Sequence, residues 1–147
     1  MKKFLLLAIA LGSTSLFAQA ADTQWLTNYE QALKQAKAEH KRVLMDFTGS
    51  DWCAWCQKLD REVFELREFK DYASKNFVLL MVDFPQHREQ PASEKAQNEK
   101  LADKFQIEGY PTIVVLNSNG SKAGEVGYVE GGPKQFLAEL EKQAPKR

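Results

Sequence analysis

Cys53 and Cys56 are the only cysteines of the 147-residue chain, and two residues separate them. Residues 51–60 read DWCAWCQKLD, so one tryptophan precedes the pair and another lies within it. A Cys-x-x-Cys pair can act as a reversible dithiol, staple a fold or supply half of a metal site. A staple is a poor explanation, because so short a loop restricts the unfolded chain very little.

The sequence also argues against a metal or a haem at these cysteines. A zinc site needs about four ligands. The other candidates, His40 and His87, are distant in sequence and stand among polar and charged residues typical of a solvated surface. Covalent haem attachment requires a histidine directly after the second cysteine, where Gln57 stands. We therefore expect no metal, no cofactor and a redox-active dithiol.

The elements beside the motif predict where each thiol lies. Residues 43–47 are an almost continuous apolar run, typical of a strand buried on both faces. Helical periodicity then extends from Cys53 to about Lys75, with or without a break near residues 65–68. Cys53 is expected at or near a helix N-terminus, where backbone N–H groups and the dipole stabilise a thiolate. Cys56, one turn later and facing the sheet, would resolve a mixed disulfide.

The rest of the chain alternates helices and buried strands. Periodicity and turn residues predict a helix at 25–40, a strand at 77–82, a helix closing at 101–105, strands at 112–116 and 125–129 joined by an Asn-Gly turn, and a helix at 133–142. This order predicts an α/β fold with a central mixed sheet of about four strands, flanked by helices, and an antiparallel hairpin at its edge.

The first twenty residues have the order of a secretory signal peptide. Lys2 and Lys3 precede an apolar run at 4–11, and Ala18-Gln19-Ala20 supplies small residues at the two positions that a signal peptidase reads. The apolar run is far shorter than the ~20 residues that cross a bilayer. We expect residues 1–20 to be removed on export; the alternative is an N-terminal membrane anchor that is retained.

Residues 21–147 have the size of one domain. Export would place this domain in the periplasm or outside the cell, where disulfides persist. Without Lys2 and Lys3, the 20 basic residues fall to 18 against 20 acidic residues, so nothing attracts nucleic acid or an anionic membrane. We expect exported proteins with thiols or disulfides as partners, and no nucleic acid.

A strand, Trp-Cys-x-x-Cys, a helix and a downstream Gly-Tyr-Pro-Thr that opens the next strand together resemble the thioredoxin superfamily. The string DFTGSDWCAWCQKL is similar to its exported thioredoxin-like branch, and the resemblance covers about residues 25–142. It implies a thioredoxin-like fold in which Pro111 is cis and lies against the disulfide; the alternative is a trans proline at a strand start. Tyr110 would then face the dithiol and pair with an extended substrate segment.

Two more residues match functional positions of thioredoxins. Asp46 resembles the buried acid that takes and returns the proton of the second cysteine, and burial would raise its pKa toward neutrality. The alternative is a strand-end carboxylate with hydrogen-bond partners. Trp52 resembles the aromatic residue that covers the disulfide and shapes the docking surface, and the alternative is a lid on the core.

These residues predict an enzyme, a thiol–disulfide oxidoreductase of exported proteins with Cys53, Cys56 and Asp46 as catalytic residues. No cation lies between the cysteines and Asp51 is acidic, so we expect a reductase or isomerase rather than a strong oxidase, supplied with electrons by a membrane redox partner. The rival hypothesis is a thioredoxin-like binding module with an inert disulfide, whose function lies in an insert at 85–98.

Overall fold

The computed structural model describes residues 23–145, so the predicted signal peptide lies outside the described residues. The elements in chain order are β1 (Trp25–Leu26), α1 (Tyr29–Glu39), β2 (Arg42–Thr48), α2 (Ala54–Leu59), a π-helical turn (Asp60–Phe64), α3 (Arg67–Asn76), β3 (Phe77–Asp83), α4 (Ala92–Phe105), β4 (Thr112–Leu116), β5 (Lys122–Val126) and α5 (Gly132–Gln143). Within this part of the chain no helix is long and apolar enough to cross a lipid bilayer.

The strands form one mixed sheet in the order β1-β3-β2-β4-β5. The central strand β2 is buried along its whole length and pairs in parallel with β3 and antiparallel with β4. Because side chains alternate along a strand, β2 contributes to two cores. Val43, Met45 and Phe47 pack under α1 and α4, whereas Leu44 packs under α2, the π-helical turn, α3 and α5. The predicted sheet between helices is confirmed.

The sheet has five strands rather than about four, because the predicted first helix begins later than expected. Trp25 and Leu26 form a short strand parallel to β3 instead of the first turn of α1. Asn28 then caps the helix, since its side chain accepts a hydrogen bond from the backbone N–H of Gln31 at 2.8 Å. The apolar residues of β1 happen to continue the helical spacing of α1, and for this reason the sequence pattern placed the start of the helix too early.

The helical stretch predicted from Cys53 to about Lys75 is divided in three, and one division falls near residues 65–68, where the sequence leaves a break open. After α2 the chain widens into the π-helical turn, and Leu66 is extended, with φ −80° and ψ 142°, before α3 begins. The wider turn allows consecutive residues, Val63 and Phe64, both to be buried in the core.

The last strand begins earlier than the predicted range of 125–129. The turn closes tightly, because the N–H of Asn117 donates to the carbonyl oxygen of Ser121 at 2.8 Å and Gly120 has a φ of 84°. Pairing with β4 therefore starts at Lys122. Most residues of β5 are polar or small, so this part of the strand shows no apolar pattern in the sequence.

Gly124 is the point where β5 packs against the end of α5. A Cβ atom there would lie 2.1 Å from the carbonyl oxygen of Gln143 and 3.0 Å from the Cα of Ala144. We expect Gly124→Ala to lower the free energy of unfolding by about 1–3 kcal/mol, because backbone must move to admit one methyl group. Urea unfolding measures the change. Gly109→Ala is the matched control, since no described atom lies within 4 Å of a Cβ there; equal losses in both variants would contradict the prediction.

Candidate active site

The two cysteines are joined by a disulfide at the start of α2. Cys53 is the N-cap of this helix, and its Sγ accepts a hydrogen bond from the backbone N–H of Cys56 at 3.2 Å. Cys53 is 7% exposed, whereas Cys56 is 1% exposed. The sulfur that solvent reaches more easily therefore lies at a helix N-terminus, a position that would favour a thiolate once the disulfide is reduced. The predicted placement of both thiols is confirmed.

The loop that carries the motif is held by its own backbone. The carbonyl oxygen of Gly49 accepts hydrogen bonds from the N–H groups of Trp52, at 3.2 Å, and Cys53, at 2.8 Å. Gln57 Nε2 donates to the carbonyl oxygen of Ser50 at 3.1 Å. Gly49 also makes room for the indole of Trp52, because a Cβ would lie 2.4 Å from its ring. The absence of a side chain at Gly49 is what lets Trp52 lie across the loop.

Trp52 joins the active-site loop to two other segments. Its Nε1–H donates to the carbonyl oxygen of Phe84 at 2.7 Å, and its ring lies nearly perpendicular to that of Tyr110 at a centroid distance of 5.7 Å. With 38% of its surface exposed, Trp52 forms part of the outer face beside the disulfide. The structure therefore does not place it as a lid on the core.

The Tyr110–Pro111 peptide bond is cis, as the resemblance implies. Pro111 is buried, and β4 begins directly after it. The ladder between β2 and β4 starts with the pair Phe47 and Thr112, so the backbone of Tyr110 lies just beyond the paired part of the sheet. The ring of Tyr110 packs between Trp52 and Phe84.

Asp46 lies in the middle of β2 and is 2% exposed. It is two residues after Leu44 in the strand, so both side chains face the side of the sheet that α2 and the π-helical turn cover. Among residues 23–145 its Oδ1 has no hydrogen-bond partner. Burial raises the pKa of Asp46 well above its usual value, and the charges of Asp60 and Asp83 raise it further.

Asp51 does more than place a negative charge near the disulfide. Its carboxylate accepts hydrogen bonds from the backbone N–H groups of Gln86, at 2.9 Å, and His87, at 2.8 Å. The bond from Gln86 is the main cause that lowers the pKa of Asp51, and the bond from His87 adds to it. Asp51 therefore fastens the loop after β3 to the loop that carries the cysteines.

The two histidines are exposed, in agreement with their predicted surface positions. His40 ends α1 in the left-handed conformation, with a φ of 53°, and His87 lies in the loop after β3. Across the described residues, no three His, Cys, Asp or Glu side chains are grouped in a way that would hold a metal ion.

Residues 29–144 match the family model described as a thioredoxin-like domain. The chain belongs to the thioredoxin-like family. One relative is the disulfide bond reductase DsbH of Chlamydia pneumoniae, 33% identical over 121 residues that cover 82% of this chain and 72% of that protein. A solved structure described as DsbH oxidoreductase superposes with a TM-score of 0.81 at 31% identity and covers 95% of this chain and 96% of that chain. The predicted thioredoxin-like fold is confirmed.

Other thioredoxin-like relatives are longer proteins. The thioredoxin-related protein DsbJ of Chlamydia pneumoniae is 31% identical over 134 residues, which cover 86% of this chain and 38% of that protein. The thiol:disulfide interchange protein DsbD of Vibrio cholerae is 31% identical over 121 residues, which cover 80% of this chain and 18% of that protein. This chain therefore spans less than half the length of DsbJ and of DsbD.

Asp60 is a candidate residue of this thioredoxin-like site that the sequence reasoning missed. It begins the π-helical turn, four residues after Cys56 and thus on the same side of the helix. Partial burial, followed by the charge of Glu65, raises the pKa of Asp60 to about 6. Its charge in turn raises the pKa of Asp46. The spacing of four from Cys56 is the signal that points to Asp60 in the sequence.

Trp55, between the cysteines, belongs to a second aromatic surface. It is 56% exposed, and its ring lies 5.2 Å from that of Tyr128. Lys58 Nζ lies 5.0 Å from the centroid of each ring, and the hydroxyl of Tyr128 donates to Glu62 at 2.5 Å. No cation stands between the cysteines in sequence, but the fold places the ammonium of Lys58 over Trp55.

Proposed function

We propose that this protein is a thiol–disulfide oxidoreductase that acts on exported proteins through Cys53 and Cys56. The observation that carries the proposal is the unequal placement of the two sulfurs: Cys53 caps a helix and is the more accessible, while Cys56 is buried behind it. Relatives named as a disulfide bond reductase and as a thiol:disulfide interchange protein support the same chemistry.

In the reducing direction, the Cys53 thiolate attacks one sulfur of a substrate disulfide. The substrate S–S bond breaks, its second sulfur leaves as a thiolate, and the first is joined to Cys53 in a mixed disulfide. The Cys56 thiolate then attacks the Sγ of Cys53 and displaces the remaining substrate sulfur. The substrate gains two electrons and the protein forms its own disulfide, which an external dithiol must reduce before the next turnover.

We assign the proton transfer of the second step to Asp46. Cys56 is buried and must lose its proton before it attacks, so a base nearby in the interior is required. Asp46 faces the side of the sheet that α2, the helix that contains Cys56, covers, and its raised pKa suits a group that accepts and returns a proton. Its Oδ1, which has no partner among the described residues, is available for this task.

We assign substrate binding to Trp52, Tyr110 and Pro111. The backbone of Tyr110 lies just beyond the β2–β4 ladder, at a position where an extended substrate segment can add as a further strand. The partly exposed ring of Trp52 adds apolar surface beside Cys53. The segment would then cross the disulfide between these two residues.

We expect this protein to work as a reductase or isomerase of exported proteins, supplied with electrons by a membrane dithiol partner after residues 1–20 are removed. A strong oxidant requires a highly stabilised thiolate in its reduced form. Here the residues between the cysteines carry no positive charge, and Asp51 and Asp60 stand at either side of the motif. Their negative charges oppose a thiolate and favour a more reducing disulfide.

The reduction potential of the Cys53–Cys56 disulfide tests this proposal. We expect about −250 mV or below when the protein of residues 21–147 is titrated against dithiothreitol or glutathione. In parallel, Cys56→Ala should trap substrates as mixed disulfides on Cys53, because the resolving thiol is gone. The control is Cys53→Ala, which leaves the buried thiol alone and should trap none.

Two results would contradict the proposal in different ways. A potential near −120 mV would make the protein an oxidase of exported proteins. A disulfide that no dithiol reduces, together with an activity that survives loss of both cysteines, would favour the binding module and transfer the function to the insert.

A further inference from the structure

A cleft of 290 Å³ lies on the side of the sheet that the π-helical turn and α3 cover. Its lining includes Trp25 of β1, Met81 of β3 and, from the helical layer, Asp60, Phe64, Glu65 and Lys70. The proposed substrate-binding residues, Trp52, Tyr110 and Pro111, do not line it, and neither does either cysteine. The cleft therefore gives solvent an approach to the interior that is separate from the face where a substrate would bind.

Met81 connects this cleft to Asp46. The register of the sheet sets Asp46 between Met81 of β3 and Ile113 of β4, so the three side chains lie on the same face. Ile113 is completely buried, whereas Met81 is half-buried and lines the cleft. Among residues 23–145 no strand pairs with Met81 on its other side, because β1 ends opposite Leu80. Of the two neighbours of Asp46 in the sheet, only Met81 reaches solvent.

Asp60 lines the same cleft from the helical layer. It begins the π-helical turn and is half-buried, and its charge raises the pKa of Asp46. Burial and the charge of Glu65 raise the pKa of Asp60 itself to about 6, against the opposing charge of Arg61, and Asp83 adds to the rise. A carboxyl group at this place can both gain and lose a proton at pH values near neutrality.

Two buried oxygen atoms of β2 lack a hydrogen-bond partner among the described residues. They are Oδ1 of Asp46 and Oγ1 of Thr48, which are two residues apart in the strand and therefore on the same face. Buried polar atoms of this kind bind ordered water in folded proteins. Water that enters from the cleft could therefore bind at Asp46 and link its carboxyl group to that of Asp60.

We propose that Asp46 exchanges its proton with solvent through this cleft, and that Asp60 carries the proton at the inner end. The proposal rests on the oxidoreductase function and on the role of Asp46 proposed above. In the second step the Cys56 thiol gives its proton to Asp46, and the Cys56 thiolate displaces the substrate thiolate from Cys53. Asp46 then passes the proton through water to the Asp60 carboxylate, which releases it to solvent. Asp60 acts through Asp46 and is a positioning residue.

A separate route matters because the substrate covers the disulfide face during the second step. Burial raises the pKa of Asp46, so at any pH near or below that raised pKa part of the protein holds Asp46 protonated. This fraction accepts no proton from Cys56 until Asp46 has lost its own, and it must lose it while the substrate is attached to Cys53. The cleft allows this loss, because none of the proposed substrate-binding residues lines it.

The test follows both steps in one reaction. Reduced protein is mixed with an aromatic disulfide that releases one coloured thiolate when Cys53 attacks and a second when Cys56 resolves the mixed disulfide. In wild type the second release should be a single phase at every pH, because Asp46 equilibrates quickly with solvent. In Asp60→Asn it should split into two phases, the slower about tenfold below wild type. The share of the slow phase should rise as the pH falls, since protonated Asp46 is then cut off from solvent.

Glu68→Gln is the matched control, because it removes an exposed acid of α3 that does not line the cleft, and it should keep the single phase. Asp60→Glu retains a carboxyl group and should restore the single phase. In Asp60→Ala, added imidazole should remove the slow phase, because a small base can enter the cleft and carry the proton. Imidazole should not accelerate the second step of Asp46→Asn, which lacks the group that the route serves.

A single phase in Asp60→Asn would overturn the proposed route, and a shift of its pH dependence to lower pH would show that Asp60 acts on Asp46 by charge alone. A slow phase of Asp60→Ala that imidazole does not remove would overturn the route as well. Both results leave the oxidoreductase function intact. If reduced protein releases no thiolate, the oxidoreductase function falls. If Asp46→Asn resolves the mixed disulfide as fast as wild type, the role of Asp46 falls, and in either case the route falls too.

Discussion

Replacing Cys53 with serine should lower the rate of disulfide reduction by about 10³-fold or more. The hydroxyl of serine does not ionise near neutral pH, so the attacking anion is lost and no mixed disulfide forms. The assay is the reduction of a protein disulfide with dithiothreitol as the electron donor. In wild-type protein that has been reduced, iodoacetamide should also alkylate Cys53 faster than Cys56, because the Cys53 sulfur caps a helix and is the more exposed.

Cys56→Ser is the matched control for this prediction. Cys56→Ser keeps the Cys53 thiol at the helix N-terminus and removes only the sulfur of Cys56, a residue that is 1% exposed. We expect this variant to attack substrate disulfides at a rate close to wild type, to fail in the second step and to accumulate mixed disulfides. Trapped substrates on Cys53→Ser, or on both variants equally, would contradict the assignment of Cys53 as the nucleophile.

Replacing Asp46 with asparagine should slow the second step about 10- to 100-fold at pH 7, since a positioned base contributes to the ionisation of Cys56. The rate is the release of substrate from Cys53 in a single turnover. In wild type the rate should fall as the pH falls through the raised pKa of Asp46, because protonated Asp46 accepts no proton. The variant should lack this inflection. Asp71→Asn removes an exposed acid of α3 and is the control.

Asp46→Asn should also change how the free energy of unfolding depends on pH. Burial raises the pKa of Asp46 in the folded protein, so the folded state holds the proton more tightly than the unfolded state does. This contribution is fully present below the unfolded pKa of ~3.9 and is lost as the pH rises through the folded pKa. Relative to wild type, Asp46→Asn should therefore gain stability as the pH rises over this interval.

Urea unfolding at a series of pH values measures this difference. A difference between Asp46→Asn and wild type that does not change with pH would show that Asp46 titrates alike in both states, and would remove the basis for its role as a proton acceptor. Asp71→Asn should show no comparable gain, because the side chain of Asp71 is exposed to solvent in the folded protein as well as in the unfolded chain.

The sequence alone determined the main architecture and the position of the disulfide. Apolar runs such as residues 43–47 are typical of strands buried on both faces of a sheet, and a helix directly after Cys53 places that sulfur at the helix N-terminus. The strands and the helix start depend on local patterns, which are read directly along the chain. The cis bond before Pro111, which the structure has, was implied only by the resemblance to thioredoxins that Trp-Cys-x-x-Cys and Gly-Tyr-Pro-Thr carry.

The tertiary structure decided which distant residues serve the site. The parallel register of β2 and β3 sets Thr48 opposite Asp83, and this pairing brings the two loops that follow side by side. Only then can Asp51 bind the backbone at Gln86 and can Trp52 reach Phe84, across more than thirty residues of chain. No periodicity encodes such contacts, because they arise from the lateral pairing of strands that each pattern predicts separately.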